Sequence, residues 1–242
     1  MSDSSTAPPN EPKTRLPVVL LAVGVVALMI LALSLGGLTW WLVSRTAVHT
    51  NAPPEVGDMS TVAGSTEIFN GRDLDGWEFD PDVWSVRDGI IHGNQRRGGY
   101  GSGLFWPDKD IADFELHFRF RLVRGNSGVY YRASQLENFD VGGYEFEIYA
   151  NKTGNLADNG TDRVKRRLHV AEGAQPIDSE WHEGVIIAAG PRLVHRLDGK
   201  LLCDVEDTKP AAPRTGAIAF AITSSTVVEF KDIRLKRTGT TR

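Results

Sequence analysis

Two glutamates, Glu145 and Glu147, alternate along the run Gly143–Tyr149 (GYEFEIY). In an extended strand they share one face, with Cβ atoms about 6–7 Å apart. Carboxylates at that spacing suit general acid–base work, one taking a proton while the other keeps its charge. A second run, Asn126–Arg132 (NSGVYYR), places Tyr130 and Arg132 on a common face. A guanidinium is a natural partner for an oxygen that gains negative charge during a reaction. The same four residues also fit charge pairs on a half-exposed sheet, where cross-strand ion pairs are common. Another constellation, Glu115, His117 and Arg119, offers two metal-type ligands beside a cation, which reads as a solvated sheet face.

The elements that must carry these residues have a period of two. In Asp113–Leu122 (DFELHFRFRL), Phe114, Leu116, Phe118, Phe120 and Leu122 point one way, and Glu115, His117, Arg119 and Arg121 the other. Further short runs read as strands: VWSV, GIIHG, SGLFW, SGVYYR, WHEGVIIAA, RLVHRL, KLLCDV, GAIAFAI and VVEFKDIRLK. Arg87-Asp88-Gly89, Gly125-Asn126 and Leu197-Asp198-Gly199 supply turns, and the last closes a hairpin. No long amphipathic helix and no repeat is visible, so the pattern predicts an all-β sandwich or barrel. The stretch from Ala150 to Gln175 is polar and aperiodic, with Asn151, Asn155, Asp158 and Asn159 close together, and reads as a functional loop.

The 242-residue chain divides sharply before this domain. Leu16–Ser44 carries no charge and ends near Trp40 and Trp41. It exceeds the roughly 20 residues a membrane helix needs and the roughly 7–15 of a signal-peptide core, and so predicts an uncleaved anchor. Lys13 and Arg15 precede it and Arg45 follows, which predicts an N-terminus inside and a C-terminal domain outside the cytoplasm, in the periplasm or at the cell surface. Residues 1–15 read as a disordered tail, 45–63 as a linker and 64–238 as the folded domain. A net charge of −4 with scattered cations argues against nucleic acid. The single cysteine, Cys203, excludes an intramolecular disulfide and a Cys-based zinc site.

Several phrases in order carry more than fold class: FNGRDLDGWE (Phe69–Glu78), WSVRDGIIHG (Trp84–Gly93), NSGVYYR, GYEFEI, the HRLDGK hairpin and VEFKDIRLK (Val228–Lys236). Together they resemble the 3-keto-disaccharide hydrolase domain family over Glu67–Lys236. The resemblance implies a concanavalin-like jelly roll and cleavage of glycosides already oxidised to a ketone at C3. It also implies a carbohydrate partner and a secreted or surface-anchored setting. One departure concerns a Gln, His, Gly phrase of the family. Ile222, Ser224 and Ser225 occupy its three positions, so the histidine is replaced by serine.

A C3 ketone acidifies the proton on C2; its removal gives an enolate, and loss of the C1 oxygen breaks the glycosidic bond. Within the resemblance, Glu145 or Glu147 is the base, Arg132 faces the enolate and Tyr130 orients or protonates. A divalent metal is a candidate cofactor, with no ligand set assigned. His169 is a candidate for the role left by the missing histidine. Trp77 and Trp106 are candidate sugar-stacking residues, although each, like Trp84, also reads as a core or rim aromatic. His92 and His195 read as surface residues. The competing function is a carbohydrate-binding or interaction sandwich without chemistry.

Overall fold

The computed structural model describes residues 63–96, 101–150, 153–160, 165–170 and 177–239. The tail, the expected membrane helix over 16–44 and all but the last residue of the expected linker lie outside them. The strands are β1 (Thr66–Glu67), β2 (Glu78–Phe79), β3 (Trp84–Arg87), β4 (Ile90–Asn94), β5 (Ser102–Phe105), β6 (Phe114–Arg124), β7 (Asn126–Gln135) and β8 (Val141–Tyr149). They continue as β9 (Leu156–Asn159), β10 (Lys165–His169), β11 (His182–Ala189), β12 (Arg192–Leu197), β13 (Lys200–Glu206), β14 (Ala217–Ile222) and β15 (Val227–Arg237). One short 3₁₀ turn, Glu137–Phe139, is the only helical element among the described residues.

The strands form two antiparallel sheets. One runs β13-β12-β11-β6-β15-β4-β3, with β1 also paired to β15, and the other runs β10-β9-β8-β7-β14-β5-β2. The expected all-β sandwich is what forms. Alternation explains it: Phe114, Leu116, Phe118 and Phe120 of β6 are fully buried, as are Tyr144, Phe146 and Ile148 of β8. Phe118 meets Phe146 edge-on across the gap, with ring centroids 5.5 Å apart and planes at 89°. Such a ring contributes about 1.5–3 kcal/mol by leaving water, so truncating Phe146 to Ala costs about 3–5 kcal/mol.

The polar stretch from Ala150 to Gln175 is not one loop. It contains β9 and β10, which extend the seven-stranded sheet beyond β8. Their few residues and bulged register hid the period of two. Two further expectations fail on burial. His195 is fully buried between the sheets: the Tyr131 hydroxyl donates to its Nε2 at 2.9 Å, and its Nδ1–H donates to the Gly154 carbonyl at 3.1 Å. His117 is equally buried, on the other face of β6, with Nε2 2.7 Å from Glu115 Oε1 and Nδ1 3.7 Å from Glu183 Oε1. Glu115 of the same strand and Glu183 of β11 stand beside it on that face.

Candidate active site

Since Phe146 and Ile148 point into the core, Glu145 and Glu147 point out of the sandwich, on the outer face of the seven-stranded sheet. Register then sets their neighbours. Tyr130 of β7 stands opposite Glu145, and Gly128 opposite Glu147; on the other side Ala157 of β9 stands opposite Glu145. Lys165 of β10 is paired with Asn159 of β9. Its side chain reaches back across the small Ala157, and its Nζ lies 2.7 Å from Glu145 Oε2 and 3.2 Å from Glu147 Oε1.

Both carboxylates are almost wholly buried, their side chains 5% exposed, which removes the reading of a solvated charge pair. Each is also held by an amide. Asn155 Nδ2 donates to Glu147 Oε2 at 3.0 Å, and Asn159 Nδ2 to Glu145 Oε2 at 2.8 Å and to the Tyr130 hydroxyl oxygen at 3.2 Å. Burial opposes the charge on Lys165, but Glu145 and Glu147 outweigh it and hold the ammonium above its ordinary range. Burial, followed by the negative charge and hydrogen bond of Glu145, pushes the Tyr130 phenol well above its ordinary range. The cluster therefore combines two anions, one firmly protonated amine and one firmly protonated phenol.

Two hollows flank the cluster. One of about 120 Å³ is lined by Tyr130, Glu145, Gly128, Ala221 and Asp140. The other, of about 510 Å³, begins at Asn159 and is walled by Asp158, Arg166, Asp207 and Lys209. Asn159, hydrogen-bonded to both Glu145 and Tyr130, connects the reactive groups with the larger space. A wider groove of about 710 Å³, over Phe105, Ala133 and Ala217, touches neither glutamate.

The structure brings together Tyr130, Glu145 and Glu147 but not Arg132. A shift of register after Tyr131, with Arg132 at φ +46°, breaks the alternation that would have aimed its side chain with Tyr130. The fully buried guanidinium instead binds loops. Nε donates to the Ala112 carbonyl at 3.0 Å, Nη1 to Gly190 at 2.8 Å and Pro213 at 3.3 Å, and Nη2 to Asp113 Oδ1 at 3.2 Å. Asp113 also accepts the Gly190 N–H at 2.9 Å. Arg132 is a latch, and the cation at the glutamates is Lys165.

Other sequence candidates also lie elsewhere. His169 approaches the Leu202 carbonyl of the opposite sheet at 3.1 Å. Trp77 packs on the core, 6.1 Å from the Phe220 ring, and Trp106, also half-buried, packs against the same inner cluster. Ser224, at the position of the family histidine, is exposed in the turn between β14 and β15. The polarity of the stretch holding Asn155 and Asn159 was the one signal pointing to their place here.

The residues present do not fit a divalent metal. The Lys165 ammonium sits between the two carboxylates, and the amide groups that meet them are donors, not ligands. Among the described residues no three His, Cys, Asp or Glu side chains cluster as a metal site.

Comparison with known proteins agrees with this architecture. A Parabacteroides distasonis crystal structure described as a candidate glycosyl hydrolase aligns with a TM-score of 0.59 at 18% identity, over 76% of this chain and 98% of its own. A Bacillus subtilis carbohydrate-binding module aligns at 0.55 and 16% identity, over 66% and 95%. A Bacillus subtilis protein of unknown function with a galectin-like fold aligns at 0.54 and 12% identity, over 72% and 94%. At these identities the likeness is one of fold. No curated protein matches the sequence. The profile of the 3-keto-alpha-glucoside-1,2-lyase-like domain matches residues 64–236, the whole sandwich with its acidic pair. The chain therefore belongs to the 3-keto-alpha-glucoside-1,2-lyase-like domain family.

Proposed function

We propose that this domain acts on glycosides carrying a ketone at C3, cleaving them by removal of the C2 proton and elimination at C1, with hydration completing net hydrolysis. Glu145 is the base. The C2–H bond breaks toward its carboxylate, and the electron pair passes into C2–C3 as negative charge gathers on the C3 oxygen. That charge then returns to re-form the ketone, a C1–C2 double bond forms, and the C1–O bond breaks. The departing oxygen takes its proton from Tyr130, which Glu145 can resupply because the phenol and the carboxylate stand opposite each other on neighbouring strands and share the Asn159 amide as a donor. The proton lost by C2 thus ends on the leaving group.

The observation that carries this reading is the pairing of Glu145 with a protonated Tyr130 on the wall of one hollow. Family membership supports the substrate class, and the apolar segment 16–44 supports tethering at a membrane with the domain outside the cytoplasm. The test is incubation of the purified protein with a 3-keto-glucoside, following released aglycone and the conjugated ketone product. Turnover in wild type that is lost in Glu145→Gln is the expected result. Turnover unchanged in that variant would remove Glu145 from the mechanism.

A second reading, a carbohydrate-binding sandwich without chemistry, is favoured by Ser224 at the position of the family histidine. It predicts saturable sugar binding with no product from wild type in the same assay.

A further inference from the structure

We propose that Lys165 fills the seat a divalent cation would take between Glu145 and Glu147, so that the charge facing the enolate oxygen is part of the chain and turnover needs no metal. The catalytic half of this inference rests on the enolate reading above.

Geometry supports it first. The ammonium bridges one oxygen of each carboxylate at 2.7 and 3.2 Å. An ammonium has three N–H groups; these two bonds use two of them, and among the described residues the third has no partner. The Lys165 side chain is 38% exposed, against 5% for each of the two glutamates. Asn155 and Asn159 turn N–H groups toward the glutamates, which adds donors at the places where a cation would need oxygen ligands.

Charge accounting gives the arrangement a use. At rest two carboxylates face one ammonium, a sum of −1. When Glu145 takes the C2 proton it becomes neutral, and the ammonium loses one of its two anionic partners as negative charge appears on the C3 oxygen. The attraction of Lys165 for that oxygen therefore grows along the reaction, the form of stabilisation that lowers a barrier.

The test uses the purified full-length protein after exhaustive chelation. Wild type should keep its full kcat, and Lys165→Gln should lose about 10²–10³-fold in kcat with little change in KM, with Lys165→Arg recovering part of it. Titration with Mn²⁺, followed by its spin-resonance signal, should show no site in wild type and a new site in Lys165→Ala. Adding Glu147→Gln to Lys165→Ala should abolish that site. Loss of wild-type turnover on chelation with recovery on added metal would overturn the inference, as would Mn²⁺ bound by wild type and lost in Glu147→Gln. Absence of any wild-type turnover would instead sink the enolate reading, and the Mn²⁺ titrations would still decide what occupies the seat.

Discussion

Glu145 leans across Gly128. A Cβ added at Gly128 would lie 2.7 Å from Glu145 Oε1 and 2.9 Å from its Cγ, so the missing side chain of one strand makes room for the carboxylate on the next. Replacing Gly128 with Ala must push the carboxylate away from Tyr130 and Lys165. The expected result is a fall in kcat of about 10²-fold, since misplacing a reacting group by about 1 Å has that effect. Melting should show only a modest loss of stability, because the atoms that yield belong to a flexible side chain.

Tyr130→Phe should lower kcat by about 10²-fold or more while leaving the fold intact, measured as single-turnover rates beside circular dichroism. Its phenol is held well above the ordinary tyrosine range by burial and then by Glu145. The wild-type rate profile should accordingly show no loss from tyrosine ionisation up to about pH 10. An alkaline limb near pH 8 that disappears in Tyr130→Phe would contradict this.

Arg132 supplies four hydrogen bonds from a fully buried head. Arg132→Met leaves three carbonyls and Asp113 short of a donor, and should cost about 3 kcal/mol, read as a lower urea midpoint. Below the midpoint, kcat of the folded fraction should be retained. A selective loss of kcat at unchanged stability would restore Arg132 to the active site.

Burial depresses the His195 imidazole to about 4, because charging it between the sheets would cost its solvation. The unfolded chain binds that proton with an ordinary pKa of about 6.5. Acid therefore favours the unfolded state. Stability is full above pH 6.5, declines as the pH falls toward 4 and levels below it, with a total of about 3 kcal/mol. Urea midpoints at successive pH values should show this slope in wild type and a flatter one in His195→Gln.

Cys203 is buried at 1% exposure, and its thiol is pushed up to about 12, chiefly by burial. It should resist a thiol reagent at pH 8 in the native state and react at once in denaturant. Prompt native labelling would mean that this part of the sandwich opens locally.

Much of the fold could be read from alternation. Phe114 to Leu122 and Tyr144 to Ile148 named the inner faces, and Asp198-Gly199 named a hairpin tip. The acidic pair followed from the same rule, since residues opposite a buried Phe146 must point outward. Arg132 escaped it because one residue in a left-handed conformation reverses the side on which its neighbours fall. Lys165 escaped for a different reason. It lies two strands from β8, and its place depends on β9 presenting Ala157, a side chain short enough to reach over. Trp77 and Trp106 have the chemistry for sugar stacking, yet both pack against the core at the ends of short strands. His195 looked like an exposed hairpin residue because the donor and acceptor that accompany it, Tyr131 and Gly154, are remote in sequence.

Among the described residues β10, which contributes Lys165, is the outermost strand of its sheet and has only β9 as a neighbour. The glutamates, by contrast, sit on β8 above the aromatic core. The two carboxylates are thus anchored over the core, while the ammonium that offsets part of their charge comes from the periphery. A lineage could exchange that one amine for a neutral residue, and with it change the charge of the cluster, without repacking a single ring inside the protein.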